Sequence, residues 1–181
     1  MKRLRLSLPP LGLAALIAIP LVSCAPVQVH SYVGQNVDLR QYRTYAWAAA
    51  DSFSTGDPRL DNNTFFIERL QRAVDDQLQR KGFEVTTAGP SDLVVHYHAR
   101  VEQRLDSSDF QRPEPQCQNG DCRPFIYDAG TLLIDVVDRR SNQLLWRGWV
   151  ERGLDGAIDD QARMEAAVDD AVKRIMARFP L

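Results

Sequence analysis

The apolar residues of this chain keep two different periods, and the order in which the periods alternate is the strongest constraint on its fold. Between residues 62 and 81, Phe66, Leu70, Ala73, Val74 and Leu78 recur at helical spacing. Between 159 and 179, Met164, Val168, Val172, Ile175 and Phe179 do the same. Each segment is therefore expected to be an amphipathic helix with one stripe to bury. Gly82 follows the first where a helix-ending glycine sits. The second carries Glu165, Asp169 and Asp170 early and Lys173, Arg174 and Arg178 late, which suits the helix dipole, and Pro180 ends it.

The remaining apolar residues alternate as they do in strands. Strands are expected at 27–33, 42–47, 83–86, 93–101, 126–137 and 144–150. Residues 48–61 read as loop. So do 105–125, with Pro113, Pro115 and Pro124, while 138–142 reads as a hairpin loop. The order is ββαββββα. Short connections favour antiparallel pairing. The expected architecture is a single α+β domain, an antiparallel-rich sheet with two amphipathic helices packed on one face.

The first 24 residues belong to a different plan. Lys2, Arg3 and Arg5 precede a largely apolar run from Leu6 to Leu21. That run is shorter than the ~20 residues a membrane-spanning helix needs, and the pattern is that of an export signal. Its end, Leu21-Val22-Ser23-Cys24, resembles the lipobox of bacterial lipoproteins. The resemblance implies a diacylglyceryl thioether on Cys24, cleavage after Ser23 and acylation of the new amino terminus. Multiple acyl chains anchor stably where one binds only marginally. Residues 1–23 then form the lipoprotein signal peptide, 24–26 the lipidated cysteine and a short tether, and 27–181 the domain. Residue 25 is Ala rather than Asp. By resemblance to enterobacterial lipoproteins this implies the outer membrane, with the domain facing the periplasm.

Loss of Lys2, Arg3 and Arg5 with the signal leaves 19 basic against 24 acidic residues, a formal charge of −5. An acidic domain without a basic block is not expected to bind nucleic acid. Two cysteines remain besides Cys24. Cys117 and Cys122 bracket Gln118-Asn119-Gly120-Asp121, and Asn-Gly is a strong turn signal. In an oxidising envelope the pair is expected as a disulfide, contributing about 2 kcal/mol in the chain-entropy model. The rival reading is a zinc pair, whose usual spacing is two residues rather than four.

Several stretches together resemble the bacterial lipoprotein family of the domain of unknown function 4136. They are Tyr42-Arg43-Thr44-Tyr45-Ala46-Trp47, Lys81-Gly82-Phe83, Ser91-Asp92-Leu93-Val94-Val95-His96-Tyr97, Gly130-Thr131-Leu132-Leu133-Ile134-Asp135 with Leu145-Trp146-Arg147-Gly148, and Arg178-Phe179-Pro180. The resemblance covers nearly all of residues 27–180 and rests on the order and spacing of these stretches. It implies an envelope lipoprotein with a sheet-plus-helices domain and no established activity.

Few residues could carry chemistry. His96 and His98 alternate with Val95, Tyr97 and Ala99, so both imidazoles leave one face of a strand. The plain reading is the wet face of a sheet, with Arg100 continuing the row. The alternative is a metal pair, completed by His30 or by Asp135 on a neighbouring strand. Trp146 is expected in the core. Trp149 and Arg147 share the other face, and with Trp47 or Tyr45 they would form an exposed partner surface of the residue types enriched at interfaces. Packing under a helix is the plainer alternative. Nucleophile motifs G-x-S-x-G and S-x-x-K are absent, as are a calcium loop, a phosphate-binding glycine loop and any cofactor signature. The expectation is a non-enzymatic envelope lipoprotein that binds a protein, lipid or cell-wall component. The alternatives are a small hydrolase or metal-binding protein using His96 and His98, or a carrier of an apolar ligand. Cys24→Ala should abolish acylation and release the protein from membranes. Metabolic labelling with an alkynyl fatty acid checks this, and undiminished labelling of the variant would refute the anchor.

Overall fold

A computed structural model describes residues 27–49, 54–61, 63–106 and 125–181. The expected signal peptide, Cys24 and the expected Cys117–Cys122 disulfide lie outside the described residues. The strands are β1 (Gln28–Val33), β2 (Thr44–Trp47), β3 (Glu84–Val85), β4 (Leu93–Asp106), β5 (Phe125–Asp138) and β6 (Leu144–Gly153), and the helices are α1 (Thr64–Arg80) and α2 (Gln161–Met176). Short 3-10 turns occupy Leu39–Gln41 and Ala157–Asp159. The class is α+β, and the order of strands and helices along the chain is ββαββββα.

One six-stranded sheet runs β1-β6-β5-β4-β2-β3. It is mixed, which corrects the antiparallel-rich expectation. β1/β6, β6/β5 and β5/β4 are antiparallel, whereas β2 pairs parallel with both β3 and β4. The physical cause is α1. A helix between two strands carries the chain back to the end where the first began, so the second strand runs parallel beside it. The turn around Gly89-Pro90-Ser91 then takes the chain across β2 to its other side instead of folding β4 back on β3.

Local chemistry sets the helix ends. Asn63 caps α1 by accepting from the Phe66 amide at 3.0 Å, and Asp160 caps α2 by accepting from the Arg163 amide at 2.9 Å. Gly82 takes the left-handed φ of 87° that stops α1. The two helices are tied to each other by Arg69, which pairs with Glu165 and Asp169.

Both helices bury their stripes in one core with one face of the sheet. Leu70, Val74, Leu78, Val168, Val172 and Ile175 meet Tyr45, Leu93, Val95, Ile134, Val136 and Trp146. At Val136/Val137 the β5–β6 register slips, and both Leu145 and Trp146 become buried. The Trp146 ring then lies along β6 over Gly148. A Cβ built at Gly148 would stand 2.4 Å from Trp146 Cη2 and 2.6 Å from Ile175 Cγ2. The indole also meets Phe179 edge-on, with centroids 4.9 Å apart. Overpacking of this kind costs about 1–3 kcal/mol. Gly148→Ala should therefore lower the urea midpoint with an unchanged slope. Gly153→Ala, whose Cβ would meet only ordinary contacts at 3.7 Å or beyond, should change it little. Equal effects at the two positions would contradict the packing of Trp146 over Gly148.

Candidate functional site

The face of the sheet turned away from α1 and α2 carries no helix among the described residues. Strand register lays two rows of side chains across it. One is His30 on β1, Trp149 on β6, Leu133 on β5 and His98 on β4; the other is Tyr32, Arg147, Asp135 and His96 on the same four strands. All three histidines of the chain therefore share this face. The His30 imidazole stacks on the Trp149 indole with centroids 5.2 Å apart and planes 21° from parallel. Tyr32 is half exposed at the edge.

Asp135 organises the second row. It is only 5% exposed, although it faces outward. A buried carboxylate needs charged or hydrogen-bonding partners. Arg147 supplies them in bidentate fashion, its Nε donating to Oδ1 and its Nη2 to Oδ2, both at 2.6 Å. That hydrogen bonding holds the guanidinium above its ordinary pKa. His98 Nε2 stands 4.0 Å from Asp135 Oδ2, and His96 lies directly opposite Asp135 in register. Among the described residues no three His, Cys, Asp or Glu side chains converge as a metal site. Farther along the face, Arg100 pairs with Glu102 at 2.5 Å.

The expected aromatic patch does not assemble. Tyr45 and Trp47 lie on the helix face, opposite Leu93 and Val95 of β4, and are separated by the sheet from Trp149 and Arg147. Tyr45 Oη donates to Asp75 Oδ1 of α1 at 2.5 Å, and Trp47 Nε1 donates to the same oxygen at 3.0 Å. Burial, followed by the hydrogen bond to Asp75, pushes the Tyr45 phenol above its ordinary pKa. Arg147 and Trp149 do share the open face, but their aromatic neighbours there, His30 and Tyr32, come from β1. Tyr32 is the member sequence reasoning missed. It faces Arg147 only because β1 pairs with β6, a contact between opposite ends of the domain sequence.

An apolar cavity of about 80 Å³ lies under the helices, lined by Leu60, Phe66, Ala99, Leu132, Met164 and Val168 among others. Ligand pockets usually exceed ~300 Å³, so in this conformation the cavity does not enclose a lipid-sized molecule.

Arg147→Ala would leave Asp135 buried without its main partner. Breaking a buried ion pair is costly, and with Arg147 itself partly exposed the expected loss is about 2 kcal/mol. Adding Asp135→Ala should recover part of it, because the stranded charge is removed. Denaturant unfolding of the two single variants and the double variant measures this. Strictly additive losses would show that the pair is not coupled.

No curated protein matches the chain. Among solved structures, a PDZ domain protein of Parabacteroides distasonis resembles it with a TM-score of 0.56 at 15% identity, over 85% of this chain and 36% of that one. This chain thus spans about a third of that protein's length, and the likeness is one of fold. PelC of Paraburkholderia phytofirmans, solved as a dodecamer, aligns with a TM-score of 0.47 at 11% identity, over 84% of this chain and 96% of that one. A DUF4136 family protein of Bacteroides thetaiotaomicron aligns with a TM-score of 0.44 at 12% identity, over 81% and 94% of the two chains. At the level of sequence, the family described as domain of unknown function DUF4136 matches residues 29–181, and the chain belongs to that family.

Proposed function

We propose that this protein is a lipid-anchored envelope protein, held to the outer membrane through Cys24, and that its domain is a non-enzymatic binding module acting through the open face of the sheet. The observation that carries the reading is the pair of rows across that face. They present an aromatic stack, a tyrosine, two further imidazoles and a carboxylate–guanidinium pair on a surface left uncovered by α1 and α2. Trp, Tyr and Arg are the side chains most enriched where binding energy concentrates. The polar groups satisfy one another, as in a preorganised surface, rather than converging on a point where a reacting atom could sit. The apolar cavity under the helices is small among the described residues, which favours a surface for a protein or cell-wall partner over an apolar carrier.

Photo-crosslinking in intact cells tests this. A benzophenone side chain at His30 or Tyr32 should give discrete adducts, and one at Gln77 on α1 should not. Acylated, expressed protein that yields adducts from Gln77 but none from positions 30 and 32 would refute the open face as the binding surface.

A further inference from the structure

The β4–β5 hairpin outruns the rest of the sheet. β6 follows β5 only as far as the Ala129–Gly153 pair, whereas β4 and β5 stay paired to Asp106 and Phe125. The result is a two-stranded arm. It points to the end of the domain at which the amino-terminal tether leaves. Register places Gln28 in line with Glu151, Thr131 and Arg100, so β4 reaches beyond that line from Arg100 to Asp106, with Gln103 to Asp106 in the two-stranded arm. Six strand residues cover about 20 Å. The tether from Cys24 to Gln28 spans four Cα steps, at most about 14 Å when fully extended. Val27 shortens it further, since it already packs against the core.

The arm is joined to the sheet and exposes two apolar side chains. Arg104 pairs with Glu151 on β6, bracing it from the open-face side. On its other side Leu105 and Ile126 face each other in register, 55% and 60% exposed. Two exposed aliphatic side chains on an isolated hairpin find no core to enter within the described fold.

We propose that the β4–β5 arm rests on the lipid bilayer, with Leu105 and Ile126 in contact with lipid at the membrane interface. The inference rests on the lipid anchor at Cys24 proposed above. A tether shorter than the reach of β4 beyond Gln28 holds this end of the domain against the membrane. The contact fixes the orientation of the domain, with the β5–β6 turn and the carboxyl ends of both helices pointing away from the bilayer. The open face then stands at an angle to the membrane and stays accessible from the periplasm.

The test uses the full-length acylated protein in vesicles of phosphatidylethanolamine and phosphatidylglycerol. A benzophenone side chain replaces Leu105, Ile126 or, as a control on the far edge strand, Val85. Mass spectrometry of the amino-terminal peptide reports acylation of Cys24 in the same samples. Lipid adducts should form at 105 and 126 and not at 85. A Gly-Ser spacer of about 20 residues inserted after Ala25, reaching ~25 Å on average, should reduce them several-fold. Acylated protein that gives no lipid adducts at 105 and 126, gives only protein adducts there, or gives lipid adducts insensitive to the spacer overturns the arm contact. Absence of acylation would instead refute the anchor.

Discussion

The packing of the Trp146 ring over Gly148 is the interaction on which the rest of the helix layer depends. A side chain at residue 148 would lift the indole off the strand and displace Ile175 of α2. With the ring in place, Phe179 meets it edge-on, and Phe83 meets Phe179 in turn with centroids 5.8 Å apart. Lys81 completes the group, its Nζ 5.8 Å from the centre of the Phe179 ring and 3.4 Å from the Phe179 carbonyl oxygen. The close of α1 and the end of the chain are thus held by one tryptophan in the middle of the sheet. The arrangement has a cost, because Trp146 Nε1 is buried without a hydrogen-bond partner among the described residues. An unsatisfied buried donor costs about 1–3 kcal/mol, and burial of so large a ring offsets it.

Aspartates hold the other side of the fold. Asp92 accepts from the Arg43 and Thr44 amides at 2.9 Å and from Thr44 Oγ1 at 3.0 Å. This fixes the start of β2 beside the start of β4, the parallel pairing that has no short turn to define it. The two amide donors hold the Asp92 carboxyl below its ordinary pKa. Asp138 receives Tyr42 Oη at 2.8 Å together with the Arg140 and Ser141 amides of the β5–β6 turn. Asp75 receives Tyr45 and Trp47 from β2. The stretches that carry the family resemblance meet at these points. Gly148, Lys81, Phe83 and Phe179 cluster with the Trp146 indole, and Tyr42, Arg43, Thr44, Tyr45 and Trp47 bond to Asp75, Asp92 and Asp138. Most of those residues account for the fold. Asp135, Arg147, His96 and Leu133 are among the members on the open face.

Much of this was legible from the chain alone, wherever a local pattern decides the outcome. Helical spacing of Leu70, Val74 and Leu78 identifies α1, and Gly82 marks its end. Alternation sets the two faces of β4 and β5, so His96 and His98 had to leave the side opposite Val95. The paired positions of Trp149 and Arg147 followed from the same rule. A period of two, however, separates the faces of a strand without saying which face will be covered. Alternation puts Tyr45 and Trp47 on one face of β2, and without its neighbour that face is as compatible with the Trp149 surface as with the core. Parallel pairing with β4 put them under α1 instead. The burial of Asp135, the arrival of His30 and Tyr32 beside Trp149 and Arg147, and the free length of the β4–β5 arm were likewise tertiary decisions. Each depends on which strand lies next to which and on where that partner stops, and such pairings join residues too far apart in the chain for any local pattern to record them.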